Sequence, residues 1–168
     1  MGQTKNLHNE EAIKKIKELV DDIKTCMFCT EVQNLPFKTR PMATLEVDDE
    51  GNLWFMSSKE SNKNDEIKTD DQVQLIYAKT GDSEFLSVSG KANIITDQQK
   101  IDELWSFYAK AWFQGGKEDP NITVIKVIPD NAYYWDTVHG KVVSLLKIAA
   151  SVVSGKTMDD GVEGKISV

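Results

Sequence analysis

Arg40 is the only arginine in a chain of 168 residues whose other nineteen basic residues are lysines. A guanidinium grips phosphate or carboxylate through a planar fork that an ammonium cannot reproduce, so an arginine used once is a candidate for a dedicated anion contact. Lys63, with the hydroxyls of Ser57, Ser58 and Ser61 beside it, supplies a second cation further along. Between them, Phe37 to Val47 and Leu53 to Met56 read as two strands joined by the acidic turn Asp48-Asp49-Glu50-Gly51-Asn52. That hairpin would set Arg40 against the strand end that carries the serines and Lys63. Pro41 has no amide to give a ladder, so it belongs at an edge, at a bulge or where the neighbour is a ligand. The chemistry on offer is capture of a small anion. A lysine-rich composition that leaves one arginine by chance, beside an ordinary solvated Ser/Asn/Lys loop, fits the same residues, and their types alone leave both readings open.

Other chemistries have less to stand on. Cys26 and Cys29 form a C-x-x-C, but zinc needs further ligands, and the only histidines, His8 and His139, are remote and lack ligand spacing. The surrounding segment looks extended, and positions three apart on a strand point to opposite faces, which argues against a disulfide and for two small buried hydrophobes. Ser154-Gly155-Lys156-Thr157 resembles the end of a P-loop without its earlier glycine, since position 150 is Ala. No side chain stands out as a catalytic acid, base or nucleophile. Trp112-Phe113 ends a helical stretch just before a Gly-Gly-Lys-Glu-Asp-Pro loop, where large aromatics commonly meet an interface or a planar ligand.

The elements that must position these residues follow from periodicity. Ala12, Ile13, Ile16, Leu19, Val20 and Ile23 make one helical stripe behind Asn9 as cap. Short strands are expected from Met27, over Val73 to Tyr77, Glu84 to Thr96 and Thr123 to Ile128, where Pro129 ends the run, and over Ala132 to Asp136, with Gly90 marking a bulge or close approach. Thr96 and Gln99 suggest a capping box for a helix carrying Ile101, Leu104, Trp105, Tyr108 and Trp112 on one face. Val142 to Val153 reads as a helix apolar on most of its circumference, and residues 156–168 as a polar tail, poorly ordered, after a single domain over 1–155. A net charge of −7 argues against nucleic acid or anionic membrane as partner, and no apolar run approaches a membrane span. The amino terminus lacks the apolar core of a signal peptide, so the expected location is cytoplasmic, with no metal.

Taken in order, Thr39-Arg40-Pro41-Met42-Ala43-Thr44, Leu53-Trp54-Phe55-Met56 with Ser57-Ser58 and Lys63, Ser87-Val88-Ser89-Gly90, and Trp112-Phe113 through Asp119-Pro120 to Tyr134-Trp135-Asp136 resemble one family. It is the general stress protein branch of the pyridoxamine 5′-phosphate oxidase-like, FMN-binding split barrels, and the likeness covers roughly Leu19 to Ala150. The resemblance implies a mostly β fold with flanking helices, an antiparallel Greek-key split β-barrel, and a homodimer with FMN, or FAD, at the subunit interface. It implies that Arg40 and Lys63 hold the flavin phosphate with Ser57 or Ser58. Pro41, Met42, Ala43 and Thr44 with Met56 would edge the flavin, and Trp112 would reach it from the partner. The true oxidases carry a substrate lysine where this chain has Leu45 and a second basic residue where it has Asn62, so oxidation of pyridoxamine phosphate is not expected. A flavin-dependent oxidoreductase of unknown substrate is the leading reading, and a non-enzymatic flavin store or sensor the alternative.

Overall fold

Apolar and polar residues alternate through most of the chain. In the computed structural model, which describes residues 3–137 and 161–167, that pattern produces a mostly β protein with three α-helices. The order is β1 (Gln3–Thr4), β2 (Leu7–His8), α1 (Asn9–Ile23), β3 (Thr25–Thr30), β4 (Lys38–Ala43), β5 (Glu46–Val47), β6 (Leu53–Ser58), α2 (Asn62–Thr69), β7 (Gln72–Lys79), β8 (Glu84–Ile95), α3 (Gln98–Leu104), β9 (Ile122–Thr137) and β10 (Gly161–Ser167). One sheet runs β1-β10-β9-β8-β7-β3-β4, antiparallel except where β1 and β2 lie parallel to β10. Strand β9 is the branch point. Its one edge pairs with β8 along most of its length, while the other is shared by β6 at the start and β10 at the end. The sheet stays open, consistent with the split barrel anticipated from the sequence.

The core lies where the buried stripe of α1, Ala12, Ile16, Leu19 and Val20, meets the inward residues of the sheet. Phe28 and Phe55 meet edge to face there, with ring centroids 5.2 Å apart. Each such fully buried side chain contributes roughly 1.5–3 kcal/mol of transfer free energy. A smaller cluster gathers Trp54, Ile101, Leu104, Phe113, Ile122 and Val124. Cys26 and Cys29 are free and buried on β3.

Several local expectations are corrected. Arg40's strand does not form a hairpin with the strand ending at Ser58: β4 pairs with β3, and only the two-residue β5 pairs with β6. The chain changes partners within two residues, since the Thr44 amide donates to the Lys24 carbonyl and the Leu45 amide to that of Trp54. Pro41 therefore sits on the terminal strand of the sheet, where a missing amide costs least. Pro129 does not end a strand; β9 continues through it because β8 shifts register at Ser89/Gly90 and places Gly90 opposite the proline. A Cβ on Gly90 would fall 2.2 Å from the Ile128 carbonyl oxygen, so this close approach requires glycine. His8 rather than Asn9 precedes the first turn of α1, and Asp97 rather than Thr96 caps α3 by accepting from the Lys100 amide. Helix α3 stops at Leu104, short of Trp112, and the chain goes on in 3-10 turns. Residues 161–167, expected as part of a poorly ordered tail, form β10, whose Gly164 and Ile166 are buried. The apolar helix expected over Val142 to Val153 lies outside the described residues.

Candidate functional site

Strand β4 and helix α2 face one another across an open cleft of about 760 Å³. Lys38, Thr39 and Arg40 line one wall, and Glu60 to Lys63 with Glu66 the other. Helix α2 is short and mostly polar, so its position depends on a few anchors. Ile67 is buried, and Asn64, 1% exposed, accepts from the Ser57 hydroxyl (2.9 Å) and donates to Thr123 Oγ1 (3.0 Å). Thr123 in turn donates to the Ser57 carbonyl, joining α2 to β6 and β9 in a satisfied buried network. That anchor fixes the neighbouring Lys63 and, one turn on, Glu66.

Arg40 reaches the cleft from the edge strand. Its Nη1 donates to Thr30 Oγ1 at 2.7 Å and its Nη2 to Glu66 Oε2 at 2.6 Å, and Thr30 Oγ1 also donates to Glu66. Burial pushes the Glu66 carboxyl upward, but the hydrogen bonds from Thr30 and Arg40 with Arg40's charge outweigh it and hold the group below the ordinary carboxylate value. Lys63 goes the other way. Burial first, and then the positive charge of Arg40, lowers its pKa from the usual lysine value. The Lys63 ammonium donates to Ser61 Oγ at 2.7 Å and makes no ion pair among the described residues. Three cations, Lys38, Arg40 and Lys63, thus face two carboxylates, Glu60 and Glu66, in a cleft of an otherwise acidic protein. A half-buried ammonium beside a guanidinium, bonded to a neutral hydroxyl and only partly offset by the Glu66 charge, is relieved by an incoming anion.

The remaining residues singled out in the sequence divide. Pro41 and Ala43 are exposed on β4, whose outer edge pairs with no strand among the described residues, while Met42 packs partly against the core. Thr44 is buried and its hydroxyl is taken up with Tyr77 at 2.7 Å. Ser57 is likewise buried and serves to dock α2. Ser58 accepts from the Glu60 amide at 3.3 Å at the mouth of the loop. Met56 packs against the smaller cluster, and so does Leu45. Trp112 is 84% exposed and does not line the cleft. Glu66 and Thr30 escaped the sequence reading. Lys63 and Glu66 are three apart on a helix, the one local hint that both share a face.

A family model described as pyridoxamine 5′-phosphate oxidase like matches residues 11–159. Protein bli-3 of Neurospora crassa is 31% identical over 112 residues, covering 62% of this chain and 54% of its own, so the match spans about half the length of that relative. General stress protein 26 of Bacillus subtilis is 28% identical over 128 residues, 73% of this chain and 88% of its own. The crystal structure of the general stress FMN/FAD binding protein from Xanthomonas citri superimposes with a TM-score of 0.64 at 29% identity, covering 74% of this chain and 87% of its own.

Proposed function

The chain belongs to the pyridoxamine 5′-phosphate oxidase-like family, and we propose that it is a flavin-binding general stress-type protein whose cleft holds the phosphate of FMN or FAD on Arg40 and Lys63. One observation carries the reading: the chain's single arginine and a half-buried lysine that makes no ion pair among the described residues converge on one cleft. The Xanthomonas relative, similar over most of its length, is an FMN/FAD binding protein by name. The donor set suits a phosphate ester, since a guanidinium supplies the fork, an ammonium the second charge, and Ser61 lies alongside.

The backbone of Pro41, Met42 and Ala43, on the free edge of β4, would border the flavin ring. Thr44 would contribute little, because its amide and hydroxyl are already spent on Lys24 and Tyr77. A second copy of the chain would complete the site. Met27, Ile76, Ser87 and Tyr133 form one cross-strand row on the outer face of the sheet, and Phe85 and Trp135 another. Met27, Ile76 and Trp135 are each more than 40% exposed there, and Trp112 stands out from the surface, as expected of residues that a partner covers.

When bound, the flavin supplies the redox chemistry. The chain's own residues bind and orient it, and none is placed as an acid or base. Leu45, packed into the apolar cluster, offers no cation to a pyridoxal-type substrate, so oxidation of pyridoxamine phosphate is not expected. Flavin absorbance in the purified protein or after adding FMN, followed by reduction with a nicotinamide cofactor in stopped flow, tests this. A flavin that binds but never turns over with any reductant would favour storage or sensing over oxidoreduction. Absence of flavin binding would reject both.

A further inference from the structure

Thr30 and Glu66 have no role in the reading above, and both are buried, Thr30 at 0% and Glu66 at 6% exposure. Together with Arg40 they close a ring of three hydrogen bonds. Donor chemistry fixes the direction of every one. A guanidinium only donates and an ionised carboxylate only accepts, so the Thr30 hydroxyl must accept from Arg40 and give its single proton to Glu66. Turning the guanidinium would break the bonds from Nη1 and Nη2 at once. Two of its N–H groups point into the protein, and the others stay available on a side chain that is 24% exposed.

Resting on the phosphate-site reading, we infer that Thr30 and Glu66 are positioning residues that hold Arg40 as a preformed phosphate fork. An exposed arginine would lose side-chain freedom each time it bound an anion; here that freedom is given up during folding. The ring is not needed to dock α2, which the Ser57–Asn64–Thr123 network and buried Ile67 already hold. Thr30 is too buried to touch a ligand, so any effect it has on phosphate must pass through Arg40 or Glu66. Glu66 adds a counter-charge that keeps three neighbouring cations together before the anion arrives.

The single arginine makes the test clean, because its guanidinium gives one set of nitrogen-15 resonances in the untagged chain. In the ligand-free protein these should show slow guanidinium rotation, and Thr30→Val should let the signals average. A freely rotating guanidinium in the unmodified protein overturns the inference. Affinity gives the second readout, as the ratio of FMN to riboflavin binding, which a merely structural defect would leave alone. Thr30→Val should lower that ratio about five- to tenfold, as loss of one hydrogen bond of ordinary net strength would. Thr30→Ser should restore it, and Thr30→Val should add nothing in an Arg40→Ala background. If Arg40→Ala lowers the ratio but Thr30→Val does not, the positioning role is wrong while the phosphate site stands. If Arg40→Ala leaves the ratio unchanged, the phosphate site itself is wrong.

Discussion

Removing the Arg40 side chain is the most informative single change, because it has separable effects on binding and on folding. In Arg40→Ala a phosphate loses at least one charge-assisted hydrogen bond, worth about 1.5–3 kcal/mol, which corresponds to FMN binding weaker by about tenfold to a hundredfold. Riboflavin, which has no phosphate, should bind the variant as well as it binds the unmodified protein. Folding should suffer too, because the buried Glu66 carboxylate loses its guanidinium and keeps only Thr30 and Lys38. Breaking a buried ion pair costs roughly 3–5 kcal/mol. The partial exposure of Arg40 and the remaining Lys38 place this case toward the low end, a fall in melting temperature on the order of 5–10 °C. Fluorescence titrations with FMN and riboflavin at low salt, below the melting transition, separate the two effects. Equal FMN affinity in variant and unmodified protein would refute the phosphate contact, and equal losses for both flavins would show general damage.

Lys63 should make FMN binding fall at alkaline pH earlier than an ordinary lysine would. Its pKa is depressed in the free protein by burial and by Arg40, and a phosphate binds only the ammonium form well. Affinity should decline as pH rises through that lowered value, and Lys63→Arg should hold it to higher pH; a flat profile would remove Lys63 from the site. Away from the cleft, burial and then the Asp22 carboxylate push Glu84 up to about 7. A carboxyl whose folded pKa exceeds its unfolded value stabilises the fold at low pH and loses that contribution as pH rises through the folded value. Denaturant titrations should therefore show stability falling between about pH 4.5 and 7 in the unmodified protein and less so in Glu84→Gln; identical profiles would contradict the shift. Ile76→Glu on the outer sheet face should turn a dimer into a monomer by light scattering, and an unchanged mass would exclude that face as the interface.

How far the site could be read from the sequence depended on the range of the interactions involved. Arg40 and Lys63 were legible because their residue types are informative alone, and the structure brings them to one cleft. The hairpin expected between them was not, because alternation predicts a strand but not its partner, and the switch at Thr44 and Leu45 depends on carbonyls of Lys24 and Trp54. Ser57 and Ser58 are equal in sequence, yet the two-residue period sends the first inward to Asn64 and leaves the second near the loop. Glu66 had only its helical spacing from Lys63 as a local signal, because its partners Thr30 and Arg40 lie on two strands distant in sequence. In β10 the apolar alternation of Val162 and Ile166 was present, but Glu163, Gly164 and Lys165 between them read as a tail until β9 and the first strands supplied pairing.

The central claim is that Arg40 and Lys63 hold the phosphate of a flavin, and a crystal structure of the protein grown with FMN tests it most directly. The account predicts phosphate oxygens within hydrogen-bond reach of the Arg40 guanidinium and the Lys63 ammonium, with Thr30 and Glu66 still holding the far side of the fork. A flavin bound elsewhere, or one whose phosphate points into solvent while Arg40 stays paired only with Glu66, would contradict it.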